Sequence, residues 1–233
     1  MLNIFGMCGK NSSMIEEFKE FIYDNEHLQK SQLRQDLFVL FITKLKRDGF
    51  FVEFGACDGV ELSNTLTLEK DFNWKGILAE PSISWHDELF NNRSCHIDKR
   101  AVWKESNEEL YFVEVENVKT ISGIDTELFK TNFTDLRESV HNKKFKVKTI
   151  TLKDLLIEYN TPKQIDYLSI DTEGTEFEII SGFDFNEYDI KIITVEHFFN
   201  VKEKNKIYDY LKQFNYERVL TELSGQDDWY VKK

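Results

Sequence analysis

Cysteine, proline and glycine are all scarce in this chain of 233 residues, which has 3 Cys, 2 Pro and 10 Gly. The cysteines are odd in number and lack the C-x-x-C spacing of a zinc site. We therefore expect free thiols in a reducing compartment, the cytoplasm. The few prolines give no sign of a linker between domains. We expect residues 1–233 to form a single domain, a length that suffices for one well-buried core.

Long apolar runs and positive charge are also lacking. No segment approaches the roughly 20 apolar residues that cross a membrane, and the amino end has no charged head followed by an apolar core. The 30 Lys and Arg residues stand against 42 Asp and Glu, which gives a net charge of −12. No basic cluster is interleaved with aromatic residues, as gripping a phosphate backbone would require. The sequence predicts no membrane span and no nucleic-acid partner.

The most informative segment starts with the apolar run Phe50–Phe54, a predicted strand that contains Glu53. A turn bounded by Gly55 and Gly59 follows, and then a predicted helix. A strand, a glycine turn and a helix begin a nucleotide-type site at the carboxyl end of a sheet. The glycine spacing is not the G-x-G-x-x-G that cradles a pyrophosphate. Glu53 and Asp58 instead suit a ligand with positive charge, hydroxyl groups and no phosphate, and S-adenosylmethionine fits that description.

A second acidic residue, Glu80, ends the next predicted strand, Gly76–Ala79. A carboxylate at the tip of the neighbouring strand can accept hydrogen bonds from both hydroxyls of a ribose. Pro81 then stops the strand because it has no amide hydrogen to donate. An ordinary solvent-facing charge would explain either Glu53 or Glu80 alone. Their placement on both sides of a glycine turn favours the cofactor interpretation.

Four segments resemble FkbM-type methyltransferases: Gln32–Asp36, Phe51–Pro81, Ile165–Glu176 and Val195–His197. The most specific is the third, which reads I-D-x-L-S-I-D-T-E-G-x-E. The resemblance extends over most of the chain. It implies a Rossmann-like, S-adenosylmethionine-dependent enzyme of a family that mostly methylates hydroxyl groups of sugars or natural products. Cys57 departs from the family, which more often has Asn at this position.

The cofactor is expected to contact the ends of the first strands, the helix before them and the strand that ends near Asp171. The adenine would lie near the tip of the third strand. The expected cofactor-binding residues are Gln35, Glu53, Gly55, Ala56, Cys57, Asp58, Gly59, Asn64, Glu80, Pro81, Asp98, Ala101, Val102 and Asp171.

Strand and helix patterns alternate along the chain, which predicts an α/β fold. The expected architecture is a Rossmann-like class I methyltransferase fold, with a mostly parallel seven-stranded sheet and helices on both faces. The short connection Glu222–Asp227 predicts that the last strand is antiparallel, whereas a dehydrogenase sheet usually ends in a parallel strand. We expect N-terminal helices within residues 1–48 and a catalytic core over 49–233, with an insertion at about 105–143.

The chemistry is expected where two central strands end, at Asp171 and at Glu196 with His197. Neighbouring strand tips lie about 4.8 Å apart, so these side chains would surround one pocket. His197 could act as the general base, since an unperturbed imidazole has a pKa of ~6.5. Alternatively, Asp171 and Glu196, with His197 or Glu173, could bind Mg²⁺ or Mn²⁺. Asp171 could also merely cap the helix that begins near Thr175.

We therefore expect an S-adenosylmethionine-dependent O-methyltransferase that acts on a sugar hydroxyl. The acceptor partner would be a glycan, a glycan precursor or another sugar-containing small molecule. Alternatively, the acceptor could be a small metabolite or a peptide, or the chain could be a non-catalytic sugar-binding module that kept the fold. A nucleotide-sugar oxidoreductase is less favoured because G-x-G-x-x-G is absent.

Overall fold

Strands and helices alternate along the part of the chain that the structure describes. The computed structural model describes residues 4–116, 118–131 and 142–233, with the backbone alone for 4–12 and 131. The strands are β1 (Phe50–Phe54), β2 (Lys75–Ala79), β3 (His96–Asp98), β4 (Ala101–Val102), β5 (Glu109–Val115), β6 (Gly123–Ile124), β7 (Asn142–Ile150), β8 (Gln164–Ile170), β9 (Asp189–Glu196), β10 (Tyr216–Val219) and β11 (Asp227–Lys232). The helices are α1 (Ile4–Asn25), α2 (Gln35–Ile42), α3 (Leu66–Phe72), α4 (His86–Asn92), α5 (Glu127–Thr131), α6 (Leu152–Glu158), α7 (Glu176–Ser181) and α8 (Val201–Leu211). None of the described helices is both long and apolar enough to cross a membrane.

The main sheet has seven strands in the order β10-β11-β9-β8-β1-β2-β3. Strand β11 runs antiparallel to both of its neighbours, and the pairs among the other strands are parallel. The predicted fold, with its mostly parallel sheet and antiparallel last strand, is confirmed. From β1 the chain moves outward to β2 and β3, and later returns to place β8 on the other side of β1. Such a reversal of strand order leaves a crevice at the carboxyl ends of the strands, where α/β proteins bind ligands.

Helices cover both faces of this sheet, as predicted. Successive residues of β1 alternate between two apolar clusters: Val52 and Phe54 belong to one, and Phe51 belongs to the other. The first cluster takes its helical side chains from α6, α7 and α8, and the second takes them from α1, α2, α3 and α4. A strand covered on both faces is apolar throughout, so the one acidic side chain of β1, Glu53, needs a specific partner.

A second, four-stranded sheet with the order β4-β7-β5-β6 follows the third strand of the main sheet. Strands β5 and β7 pair antiparallel, from Glu109 opposite Lys148 to Val115 opposite Asn142. Strands β5 and β6, helix α5 and the start of β7 lie in the segment that the sequence marks as an insertion, about 105–143. Residues 117 and 132–141 of that segment lie outside the described residues. The short strand β4 brings Ala101 and Val102 to the same edge as the ends of β1 and β2.

Candidate active site

A cavity of about 360 Å³ lies at the carboxyl edge of the main sheet, where the strand order reverses. That volume is in the range of small-molecule sites. The sequence-predicted residues that line it are Gln35, Glu53, Gly55, Ala56, Cys57, Asn64, Glu80, Pro81, Ala101, Val102, Asp171 and Glu196. Asp58, Gly59, Asp98 and His197 were expected at the site as well, but they do not line the cavity.

The turn after β1 requires glycine at position 55. Gly55 has φ +79°, and a Cβ placed there would lie 1.9 Å from the carbonyl oxygen of Asp171. The ends of β1 and β8 can therefore approach only because this side chain is absent. Cys57 is also left-handed, with φ +48°, a conformation that Asn adopts more readily than most residues. Its contact to Glu80 is made by the backbone amide, so Cys57 preserves that contact without an Asn side chain.

Glu53 fixes the loop that follows the glycine turn. Its buried carboxylate accepts the amide of Asn64 at 2.8 Å and a short hydrogen bond from Thr65 Oγ1. Burial raises the pKa of Glu53, and the nearby Arg93 guanidinium partly offsets that rise. The sequence suggested that Glu53 meets the charge of a ligand. In the structure it lines the cavity, but its oxygens hold the loop that carries Asn64.

Arg93 joins this loop to the glycine turn, and sequence reasoning missed it. Its side chain is buried and lies 3.9 Å from Glu53 Oε2. It donates hydrogen bonds to the Gly59 carbonyl at 3.0 Å, Ser63 Oγ at 3.0 Å, Thr65 Oγ1 at 2.8 Å and Glu69 Oε2 at 2.7 Å. Burial raises the pKa of Glu69, but Arg93 and Ser94 outweigh that effect and hold it at about 2.

The remaining predicted residues of the turn and of the third strand face other groups. A Cβ on Gly59, which has φ +76°, would lie 2.6 Å from Cγ of Arg93, so this glycine makes room for the arginine. Asp58 Oδ1 accepts the amides of Val60 and Glu61, each at 2.8 Å. Asp98 forms an ion pair with Arg100 at 2.5 Å. The structure therefore gives Asp58, Gly59 and Asp98 structural contacts outside the cavity.

The carboxylate of Glu80 lines the cavity and is held in a fixed orientation by two backbone amides. Its Oε2 accepts the amide of Cys57 and its Oε1 the amide of Ser82, both at 2.8 Å. A carboxylate oxygen has two acceptor positions, so each oxygen keeps one for a ligand. Burial raises the pKa of Glu80 to about 7, with a smaller contribution from the carboxylates of Glu114 and Asp171. This fixed carboxylate is suited to a ligand that presents two neighbouring hydroxyl groups.

Three further carboxylates meet at the ends of β8 and β9. Asp171, Glu173 and Glu196 each offer an oxygen, and these oxygens lie within 4.8 Å of one another. Burial and repulsion from Asp171 raise the pKa of Glu196 well above its usual range. Burial also raises the pKa of Asp171 to about 7, and a hydrogen bond with Glu196 opposes the rise. The carboxylate of Asp171 therefore disfavours the ionisation of Glu196, and the pKa of Asp171 itself lies near neutral pH.

Glu176 fixes the backbone of the turn that carries Asp171. Its carboxylate accepts the amides of Thr172 and Gly174 at 2.9 and 3.0 Å. Asp171 does not cap α7, whose N-cap residue is Thr175. The alternative of simple helix capping therefore does not describe Asp171, whereas Glu176 does have a local structural role.

His197 lies behind the cavity wall and is not brought together with Asp171 and Glu196. Its Nδ1 accepts the amide of Phe199 at 3.1 Å, and its Nε2 lies 3.7 Å from Asp228 Oδ1. Burial raises the pKa of Asp228, but His197, Arg218 and Lys204 outweigh that effect and hold it below its usual value. The structure therefore corrects the expected roles of His197 as base and as metal ligand. Glu173, and not His197, lies together with Asp171 and Glu196 in the cluster of three carboxylates.

Gln35 lines the cavity with both ends of its amide already engaged. It donates to Asp227 at 2.8 Å and accepts the amide of Leu33 at 2.8 Å. Gln226 donates to Gln32 at 3.2 Å beside it. The start of α2 is thus fastened to the start of β11, and Gln35 shapes the wall of the cavity.

Comparisons with known proteins agree with this architecture. Residues 53–218 match the family model of the methyltransferase FkbM domain. The crystal structure of methyltransferase FkbM from Methylobacillus flagellatus KT superposes with a TM-score of 0.52 at 10% identity. The match covers 93% of this chain and 58% of that one, and it shows the fold alone. No curated protein matches the sequence.

Two further structures are more distant. Precorrin-6y C5,15-methyltransferase from Geobacter metallireducens GS-15 has a TM-score of 0.40 at 12% identity, over 84% of this chain and 85% of that one. The human methyltransferase 10 domain containing protein has a TM-score of 0.42 at 10% identity, over 85% and 80%.

Proposed function

Because the chain belongs to the FkbM methyltransferase family, we propose that it transfers a methyl group from S-adenosylmethionine to a sugar hydroxyl of a glycan or glycan precursor. The observation that carries this proposal is Glu80, held at the carboxyl end of β2 with one free acceptor position on each oxygen. Two neighbouring hydroxyl groups of a ribose match these positions.

The cavity also suits the charged end of S-adenosylmethionine. Asn64 lines the cavity and donates from Nδ2 to Ser169 Oγ at 2.9 Å. Its buried Oδ1 has no hydrogen-bond partner among the described residues. A buried acceptor without a partner is unfavourable, and an ammonium group would satisfy it. The carboxylates of Asp171, Glu173 and Glu196 would face the positive charge of the sulfonium.

The bound cofactor supplies an electrophilic methyl group, and the described residues act on the acceptor. Attack by a hydroxyl oxygen requires that its proton leaves as the new bond forms. Asp171 is the proton acceptor in this proposal, because a base is most effective when its pKa is close to the working pH and that of Asp171 is about 7. Holding the oxygen in line with the methyl group contributes on the order of 7–11 kcal/mol.

A second candidate mechanism uses a divalent ion. Asp171, Glu173 and Glu196 offer three oxygens within 4.8 Å of one another, and carboxylate oxygens are the ligands that Mg²⁺ and Mn²⁺ favour. Such an ion would lower the pKa of a coordinated hydroxyl. In both versions these carboxylates face the acceptor, so the versions differ in their need for metal.

Incubation with S-adenosylmethionine and a panel of methyl glycosides, peptides and small hydroxyl-bearing metabolites, followed by mass spectrometry, tests the proposal. We expect a gain of one methyl group on at least one glycoside. If Asp171 is the base, chelation with EDTA should leave the rate unchanged. If an ion is required, EDTA should stop the reaction and Mg²⁺ or Mn²⁺ should restore it. Methylation of a peptide or a small metabolite instead of any sugar would contradict the proposed acceptor class. Sugar binding without turnover would favour a non-catalytic module.

A further inference from the structure

The turn between β9 and α8 presents two phenylalanines in an unusual backbone conformation. Phe198 has φ +44° and Phe199 has φ +57°. The left-handed region is unfavourable for bulky residues. Residues keep such a conformation only where the surrounding structure determines it, and they cluster at functional sites. Two consecutive aromatic residues in this region therefore require contacts that hold the backbone there, and they indicate a functional role for the turn.

His197 and its surroundings hold the backbone of this turn in place. The ring accepts the amide of Phe199 through Nδ1, while its Nε2 faces Asp228. Because Nδ1 is an acceptor, the neutral ring carries its proton on Nε2, toward that carboxylate. The amide of Asn200 donates to the His197 carbonyl at 2.8 Å, and the Asn200 side chain caps α8 by accepting the amide of Lys202 at 3.1 Å. Both sides of the Phe198–Phe199 pair are thus fixed.

The turn places the side chain of one of these two phenylalanines in the cavity. Phe198 lines the same cavity as Glu196 and Asp171, whereas Phe199 has 66% of its surface exposed. A sugar ring has an apolar face of C–H groups and a rim of hydroxyl groups. An aromatic ring next to carboxylates matches both features, since the ring packs on the apolar face and the carboxylates accept from the hydroxyls.

We propose that Phe198 is the platform on which the sugar ring of the acceptor packs, and that His197 is the positioning residue that keeps Phe198 in the cavity. This inference rests on the proposed function, since it names the binding element for the acceptor of the methyl group. It gives His197 a role in acceptor binding that requires no proton transfer.

Steady-state kinetics test this inference on the methyl glycoside that the unmodified protein methylates fastest. Phe198→Ala is expected to raise KM for the glycoside about tenfold, the effect of losing one good aromatic contact, while the affinity for S-adenosylhomocysteine stays unchanged. Phe198→Leu keeps an apolar side chain but loses the ring, and the same rise is expected. Phe90→Ala, an exposed aromatic residue of α4 outside the cavity lining, should change neither quantity.

His197 is tested by coupling and by rescue. His197→Ala should raise KM as Phe198→Ala does, and the double variant should be no worse than either single variant, because both act through one ring. His197→Asn should restore much of the affinity for the glycoside, since its Oδ1 can accept the amide of Phe199.

Additive effects of the two single variants would overturn the positioning role of His197. An unchanged KM in Phe198→Ala would overturn the platform and leave the proposed function intact. Absence of methylation of every glycoside by the unmodified protein would instead remove the proposed function, and this inference with it.

Discussion

Replacing Arg93 by methionine is expected to lower the free energy of unfolding by about 3–5 kcal/mol, the usual effect of removing one partner from a buried ion pair. The change leaves the carboxylate of Glu53 without its counter-charge and leaves Glu69 with only the half-exposed Lys70 at 3.5 Å. It also removes the donors that hold Gly59, Ser63 and Thr65. Methionine retains most of the apolar volume, so the loss would arise from charge and hydrogen bonding and not from a cavity.

Denaturant unfolding measures this loss directly. Arg47→Met is the matched control, since Arg47 is exposed and lies over the ring of Phe72 at 5.8 Å. A change of no more than about 0.5 kcal/mol is expected there. If Arg93→Met does not fold, the double variant with Glu53→Gln should recover part of the stability, because the buried charge is then removed. A loss below about 1 kcal/mol in Arg93→Met would show that this network contributes little.

Replacing Asp171 by asparagine is expected to lower kcat by about 10²–10⁴, the usual contribution of general-base catalysis. The amide keeps the shape of the side chain but cannot accept the proton of the hydroxyl. If an ion is required, the same change removes one of its ligands and gives a loss of the same direction. The affinity for S-adenosylhomocysteine should change little, because Glu80 and Asn64 hold the cofactor in this proposal.

Single-turnover methylation of the best glycoside separates this effect from product release. Asp184→Asn makes the same chemical change at an exposed position outside the cavity lining and should leave the rate unaltered. A second variant, Asp171→Glu, keeps the base and should retain more activity than Asp171→Asn. Near-normal turnover of Asp171→Asn would remove Asp171 from the chemistry and leave Glu173 and Glu196 as the remaining carboxylates.

The sequence predicts the sheet and the position of the cavity well, for simple reasons. The limits of β1 are those expected from its apolar run, Phe50–Phe54. Strand β2 begins at Lys75, one residue before the expected start. Parallel strands that end at one edge must bring their last residues together, so Glu80, Asp171 and Glu196 were placed at one site from the pattern alone.

The expectation for His197 failed for a reason that the sequence does contain. Successive residues of an extended segment point to opposite sides, so Glu196 and His197 cannot both face one cavity. Alternation does not extend to Glu173, which follows the end of β8 with a left-handed backbone (φ +60°), yet the structure brings it together with Asp171 and Glu196. Alternation applied to the end of β9 would have set His197 apart from Glu196, but it gives no basis for choosing Glu173.

Arg93 could not have been found in this way. Its partners Gly59, Ser63, Thr65 and Glu69 lie 24 to 34 positions away in the sequence. No local pattern marks an arginine at the end of α4 as buried, and the residue type is usually exposed. The contact depends on how α4 packs beside the turn after β1, which is a property of the folded chain.

A calorimetric titration of S-adenosylhomocysteine into the unmodified protein and into Glu80→Ala, at pH 6 and pH 8, tests the central claim most directly. Burial raises the pKa of Glu80 to about 7, so the carboxyl is mostly protonated at pH 6 and ionised at pH 8. The ionised form accepts hydrogen bonds from both ribose hydroxyls, so the affinity for S-adenosylhomocysteine should rise from pH 6 to pH 8.

At pH 8, Glu80→Ala should weaken binding by roughly 1–3 kcal/mol and reduce the pH dependence. Glu88→Ala, at an exposed position of α4, should behave as the unmodified protein does. Equal affinity of Glu80→Ala and the unmodified protein at both pH values would contradict the placement of the cofactor.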